Sequence, residues 1–92
     1  MDDSIGRLVV SLAGRDKGCI CAIVGYPDDE GYVLVADGKV RKVEKPKKKK
    51  LKHIKPIEGI PVDKCTLSAS KLTNRLIRES VAEIVMYMDI PS

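Results

Sequence analysis

Three short aliphatic runs, separated by turn-forming segments, limit this chain to very few folds. The runs are Arg7–Leu12, Cys19–Val24 and Tyr32–Ala36, and they are rich in Val and Ile. The segments between them, 13–18 and 26–31, contain Gly, Pro and Asp at turn positions. Short β-branched runs bounded by such residues are typical of neighbouring antiparallel strands. We therefore expect the first part of the chain to be a β-meander.

A fourth and a fifth strand are predicted after the third aliphatic run. The dipeptide Asp37–Gly38 lies between that run and Lys39–Val43, and Asp-Gly between two strand-like runs favours a tight hairpin with positive φ at both turn residues. Leu51–Lys55 alternates apolar and polar residues, which suits a closing strand. The intervening Lys45–Lys50 contains a proline and no apolar partner pattern, so we expect a mobile loop at the edge of the domain.

The core has to be built almost entirely from aliphatic side chains. The 92 residues include no Phe and no Trp. The first three predicted strands are partly apolar on both faces, which suits a small closed or half-closed barrel whose outer face is covered by the rest of the chain. We therefore predict a mostly β fold class, a small barrel in residues 1–55, followed by a linker and a C-terminal helix in 56–92.

The C-terminal part has a helical period. One apolar stripe is formed by Leu72, Leu76, Ile77, Val81, Ile84, Val85 and Met88. Thr73 or Asn74 is a candidate N-cap, and Asp89 and Pro91 mark the end of the helix. Arg75 is spaced to pair with Glu79. The stripe most simply packs on the barrel, and the alternative is a partner protein or a second copy of the chain.

Positive charge is concentrated in one segment. Residues 39–55 contain ten Lys or Arg and one Glu, whereas the chain as a whole has a net charge of +4. Such a segment favours a polyanion as partner, although a solvated face that binds nothing is the alternative. The candidate phosphate-binding residues in it are Arg41, Lys42, Lys45, Lys47, Lys48, Lys49, Lys50, Lys52, His53 and Lys55. Arg15 and Lys17, on the first glycine-containing loop, are candidates to contact the same ligand.

The sequence contains no arrangement typical of an enzyme, a metal site or a membrane protein. The single His53 lies among lysines, and Asp28–Glu30 are consecutive on a turn, a poor geometry for acid–base catalysis. Three cysteines, Cys19, Cys21 and Cys65, match no zinc spacing, and we expect reduced thiols. We therefore expect no enzymatic activity, no metal, no cofactor and no small-molecule substrate. Without a signal core or a long apolar run, we expect a cytoplasmic protein that does not enter a membrane.

The segment Val9–Gly18, with the strands up to Val24 and Tyr32–Gly38, resembles a KOW motif. Gly18 matches the characteristic glycine of the motif, whereas Cys21 replaces a second, commoner glycine. Together with the basic run Lys39–His53, the chain is similar over about residues 5 to 55 to short bacterial KOW-domain proteins. These are grouped with eukaryotic and archaeal large-subunit ribosomal proteins of the same fold.

The resemblance implies an SH3-like barrel, RNA binding and association with the translation apparatus. Ribosomal RNA is then the expected partner, and ribosomal proteins are further candidate partners. KOW motifs also occur in transcription elongation factors of the NusG type, so a protein-interaction module is the alternative function. An electrostatic membrane anchor would need a lipid chain or a basic amphipathic helix, and the sequence indicates neither.

Overall fold

The protein forms an antiparallel sheet followed by a helix. The computed structural model describes residues 5–15, 17–60, 65–68 and 72–88. Within them the strands are β1 (Leu8–Ser11), β2 (Ile20–Gly25), β3 (Tyr32–Ala36), β4 (Lys47–Lys50) and β5 (Ile54–Pro56), and the helix is α1 (Asn74–Met88). The strand order in the sheet is β4-β3-β2-β1-β5, so β4 and β5 form its two edges.

The sheet is strongly curved, because its two edge strands are almost consecutive in the chain. Only a 3₁₀ turn, Leu51–His53, separates β4 from β5. The turn is held at both ends: the Leu51 N–H donates to the Gly31 carbonyl (2.8 Å), and the Leu12 N–H donates to the His53 carbonyl (2.7 Å). A three-residue connection can join opposite edges only if the sheet curls until they approach. The predicted fold class, a small barrel-like β-domain with a C-terminal helix, is confirmed.

The sheet has an apolar cluster on each face, because successive side chains of a strand point to opposite sides. The inner cluster consists of Val9, Cys21, Ile23, Val33 and Val35, with Ile54 packed against it. The outer cluster contains Leu8, Ile20, Ala22 and Ala36 from the sheet, and Ile57, Cys65, Ile77 and Ile84 from the rest of the chain. The prediction that later residues cover the outer face of the barrel is therefore confirmed.

Helix α1 packs on the outer face of the sheet. Ile77 and Ile84, two turns apart, are 0% and 2% exposed, and Val81 between them is half-buried. The Thr73 hydroxyl accepts a hydrogen bond from the Leu76 N–H (3.1 Å), which is the expected N-cap geometry. The predicted Arg75–Glu79 ion pair is also present at 3.0 Å. The predicted helix end at Asp89 and Pro91 lies outside the described residues.

The predicted hairpin at Asp37–Gly38 is wrong, because Lys39–Val43 is not a strand. Instead the Asp37 carboxylate accepts hydrogen bonds from the backbone N–H groups of Lys39 and Arg41, both at 2.9 Å. The Arg41 carbonyl in turn accepts the N–H groups of Asp37 and Gly38. Such local side-chain bonds to the backbone compete with strand pairing, and here they close a compact loop.

The lysine-rich segment is not the mobile loop that its composition predicts. Lys47–Lys50 form β4, which pairs with β3 in the register Val33 to Lys49 and Val35 to Lys47. The free edge of β3 offers backbone groups that need partners, and lysine is tolerated on an edge strand because its head group can reach water. The predicted closing strand, Leu51–Lys55, is confirmed only for Ile54 and Lys55, because Leu51–His53 form a 3₁₀ turn and the observed strand continues to Pro56.

Residues beyond the barrel are tied to its first strand. The Leu67 N–H donates to the Gly6 carbonyl (2.7 Å), and Arg7 forms an isolated antiparallel bridge with Thr66. Gly6 has φ +93°, and a Cβ there would overlap the carbonyl oxygen of Leu67, so only glycine allows this approach. The division of the chain into units 1–55 and 56–92 stays a prediction.

Candidate nucleic-acid interface

The four lysines of β4 have different environments, because the strand alternates between its two faces. Lys48 and Lys50 are exposed on one face, whereas Lys49 is 6% exposed and lies opposite Val33 of the inner cluster. Lys47, which shares the side of Lys49, is half-buried at the start of the strand. The run is therefore not a uniform cationic surface.

The Lys49 ammonium group is held inside the domain. It donates to the Ser11 hydroxyl (2.7 Å) and to the Ala13 carbonyl (3.1 Å). The Ser11 hydroxyl also donates to the Ala13 carbonyl, at 3.1 Å. A buried ammonium group is tolerated only when such acceptors replace its water. These bonds join β4 to the beginning of the β1–β2 loop, so Lys49 acts as an internal cross-link.

Lys48 is engaged by the turn between β2 and β3. Its ammonium group pairs with the Asp29 carboxylate and lies 4.8 Å from the centre of the Tyr32 ring. The hydrogen bond that Lys48 donates to the Asp29 carboxylate raises the pKa of Lys48 above its ordinary value. Both side chains are about half exposed, so the pair contributes little stability, but the carboxylate partly neutralises this lysine.

Most of the other predicted cations gather at one end of the sheet. The antiparallel register puts the end of β1, the start of β2, the end of β3 and the start of β4 side by side. The β1–β2 loop (12–19) and segment 37–46 therefore meet there, and we call this surface the basic end. Its exposed cations are Arg15, Lys17, Lys39, Arg41, Lys42 and Lys45.

Segment 37–46 is fixed to the start of helix α1 by Asn74. The Asn74 side-chain oxygen accepts the Val43 N–H (2.8 Å), and its amide nitrogen donates to the Glu44 carboxylate (2.9 Å). This hydrogen bond, more than any other influence, lowers the pKa of Glu44 below its ordinary value. The Glu44 carboxylate is thus occupied by an amide, while the neighbouring Lys42 and Lys45 are exposed.

A second attachment lies at the other end of the same segment. The Arg78 guanidinium donates to the Gly38 carbonyl (3.1 Å). Gly38 has φ +81°, and a Cβ there would overlap the Asn74 carbonyl oxygen and crowd the Arg78 side chain. The basic segment thus lies directly on α1, and a glycine is required at the contact.

The remaining predicted cations lie at the end of β4, in the 3₁₀ turn and on β5. Lys50 and Lys52 border a small depression beside Gly31, next to the acidic turn Asp28–Glu30, and Lys55 lies on β5 near Arg7. All three lysines are exposed, whereas His53 is half-buried. The structure therefore does not bring all the predicted site residues together.

The cysteines are distributed between two environments. Cys19 is exposed, whereas Cys21 belongs to the inner cluster and Cys65 to the outer one. Over the described part of the chain, no three His, Cys, Asp or Glu side chains are grouped so that they could hold a metal ion. In that same part, no helix has the length and apolar character needed to cross a membrane.

Sequence reasoning did not assign roles at this surface to Lys39, Asn74 and Arg78. Lys39 belongs to the charged segment, but the sequence pattern predicts a strand at that position. Asn74 was considered only as a helix cap, yet its partners Val43 and Glu44 precede it by about thirty residues. No local pattern links positions so far apart, so only the tertiary structure could identify these two contacts.

Comparison with known proteins gives one informative similarity. No family model matches the chain. The chain is 38% identical over 56 residues to "Large ribosomal subunit protein eL14" from Staphylothermus marinus. The match covers 61% of this chain and 57% of that protein, so the chain spans little more than half the length of the relative that it matches.

Proposed function

We propose that this protein is a non-enzymatic RNA-binding protein that associates with ribosomes in the cytoplasm. Its basic end binds the phosphate backbone of ribosomal RNA. The observation that carries the proposal is the strand register, which collects six exposed cations from the β1–β2 loop and segment 37–46. The similarity to a large-subunit ribosomal protein supports RNA as the polyanion.

The basic end is suited to contact phosphates rather than to read bases. Lysine ammonium groups act as point charges, while Arg15 and Arg41 can each present two N–H groups to one phosphate. Lys49 is left out of the contact surface because its ammonium group is buried against Ser11. Lys48 is a weak contributor because Asp29 already pairs with it.

Lys50, Lys52 and Lys55 are given a smaller role. Lys50 and Lys52 lie close to Asp28–Glu30, whose carboxylates repel phosphate. They and Lys55 attract RNA over a distance but do not form the principal contact. This difference makes them a matched control, because equal charge can be removed from either surface.

Sedimentation with ribosomal subunits tests the proposal. A basic-end triple variant, Lys39→Gln/Arg41→Gln/Lys42→Gln, is compared with a control triple variant, Lys50→Gln/Lys52→Gln/Lys55→Gln. We expect the wild-type protein and the control variant to sediment with subunits, and the basic-end variant to stay in the supernatant. Equal sedimentation of the two variants would show that net charge alone, not the basic end, accounts for the association.

A second candidate function is supported by the outer side of α1. Met86 and Tyr87 are 76% and 60% exposed, which is unusual for large apolar side chains and suits a protein contact. In that case the protein would be an interaction module of the transcription or translation machinery. Pull-down before and after nuclease treatment separates the two: partners that survive nuclease favour the second function, and partners that are lost favour the first.

A further inference from the structure

An open groove runs along the basic end, between the β1–β2 loop and helix α1. Its volume is about 750 Å³, within the range of roughly 300–1,000 Å³ that is common for small-molecule sites. Gly18 and Cys19 of the β1–β2 loop line the groove, and so do Asp37 and Lys39 of segment 37–46. The groove is therefore continuous with the surface proposed to hold phosphates.

The floor of the groove is aliphatic. It is formed by Ile20 of β2 and by Val81, Ala82 and Val85 of α1. Ala82 and Val85 are exposed, although both belong to the side of the helix nearest to the sheet loops. A small residue at position 82 leaves room above the floor. The surface can therefore bury a flat apolar group.

The edge of the groove carries two cations. Lys39 is exposed, and the Arg78 guanidinium is held by its hydrogen bond to the Gly38 carbonyl. The one carboxylate that lines the described groove, Asp37, is occupied by the N–H groups of Lys39 and Arg41. An occupant that combines a flat apolar part with negative charge complements these features, and the plane of a guanidinium group is also a surface on which a base can stack.

We infer that the groove receives one unpaired nucleotide of the bound RNA, with its base on the aliphatic floor and beside Arg78, and its phosphate at Lys39. This inference rests on the proposed function and adds to it a preference for RNA with a bulged or looped-out nucleotide. The floor makes no base-specific hydrogen bond, so the site accepts any base. A protein segment is the other class of occupant, and the experiment below separates the two.

The test compares two RNA hairpins with the same backbone. One carries a single bulged nucleotide, and the other carries an abasic residue at that position, so both have the same number of phosphates. Affinity is measured by fluorescence anisotropy. We expect wild-type protein to bind the base-containing hairpin about fivefold more tightly, by analogy with the lower end of the range for base stacking on proteins. Equal affinities for the two hairpins would overturn the inference, and this is also the result expected if a protein segment occupies the groove.

Substitutions that fill the groove provide a second test of the inference. Ala82→Trp is expected to reduce the preference for the base-containing hairpin to less than about twofold. The affinity of this variant for the abasic hairpin should stay near that of wild type. Ala82→Leu, a milder filling that favours the helix, should give an intermediate preference. Glu83→Trp places the same ring at an exposed neighbouring position that does not line the groove, and should retain the preference.

The outcomes distinguish this inference from the proposed function. If the wild-type preference survives in both Ala82 variants, the base lies elsewhere and the inference is wrong, although RNA binding stands. If neither hairpin binds at low salt, the proposed function fails and the inference fails with it. Thermal melts of each variant identify any that lose the fold, and Ala82→Leu then supplies the decisive comparison.

Discussion

The Lys49 ammonium nitrogen lies 2.7 Å from the Ser11 hydroxyl oxygen, in the interior of a domain whose strand lysines Lys48, Lys50 and Lys55 are exposed. The contact joins the edge strand β4 to the end of β1 and to the loop that carries Arg15 and Lys17. A lysine in the middle of a basic run thus stabilises the surface that its neighbours form.

A double-mutant cycle on this pair tests the internal cross-link. Ser11→Ala removes an acceptor from a buried charged group, and hydrogen bonds to charged groups contribute about 1.5–3 kcal/mol. We expect a loss of that size in the free energy of unfolding, measured by urea denaturation. In the Lys49→Met background the same substitution should cost much less, with a coupling of about 0.5–3 kcal/mol. Additive effects would show that the two side chains do not act together.

Asn74 is expected to stabilise the basic segment as well as the helix. Asn74→Ala leaves the half-buried Val43 N–H without its acceptor, which should cost about 1–3 kcal/mol of unfolding free energy. Hydrogen exchange at the Val43 amide should accelerate strongly. Thr73→Ala is the matched control: it removes the cap bond to Leu76 and costs about 1 kcal/mol, but leaves Val43 protected. Equal exchange at Val43 in both variants would contradict the assignment.

Gly38 and Gly59 provide a matched pair for the contact between loop and helix. Both have positive φ, +81° and +85°, but a Cβ at Gly38 overlaps Asn74, whereas a Cβ at Gly59 meets nothing within 4 Å. Gly59→Ala should therefore cost only the strain of a left-handed residue, about 1–2 kcal/mol. Gly38→Ala should cost clearly more. The free energy of unfolding of both variants is measured by thermal or urea denaturation. Similar losses of stability in the two variants would mean that segment 37–46 does not lie against α1.

The Glu44 pKa predicts a dependence of stability on pH. Because the folded pKa is lowered from its ordinary value of 4.5, this carboxylate stabilises the fold at pH values above 4.5, and the contribution is lost as pH falls through the folded pKa. Wild type should therefore exceed Glu44→Gln in stability at neutral pH, and the difference should shrink in acid. In Asn74→Ala the Glu44 pKa, followed by NMR titration, should move back up. A pH-independent difference would contradict the assigned hydrogen bond.

The sequence was most informative where local pattern determines structure. Tyr32–Ala36 was predicted with the observed bounds, and the helix stripe through Ile77 and Ile84 was correct because its period is local. The strand Lys47–Lys50 was missed because lysine has a low strand propensity, and only pairing with β3 makes this segment a strand. The burial of Lys49 could not be predicted, because the register of β4 against β3 determines which side chains of β4 face the inner cluster.

In the candidate site, too, some features follow from local sequence and others depend on tertiary contacts. Arg15 and Lys17 were expected to share a surface with Arg41 and Lys42, and the register places their loops at one end of the sheet. Their binding of RNA stays a prediction. The attachment of that surface to α1 through Asn74 was not foreseeable, because the helix and the segment that it holds are distant in sequence.

The salt dependence of RNA affinity tests the central claim most directly. Binding of a structured ribosomal RNA fragment is measured over a series of salt concentrations for wild type and the two triple variants. If about six cations each neutralise one phosphate, log affinity should fall with log salt with a slope of about −4 to −5. In the basic-end variant the slope of log affinity against log salt should be smaller in magnitude by about 2 to 3. In the control variant this slope should change far less. A slope that is unchanged in the basic-end variant, or changed equally in both, would contradict the account.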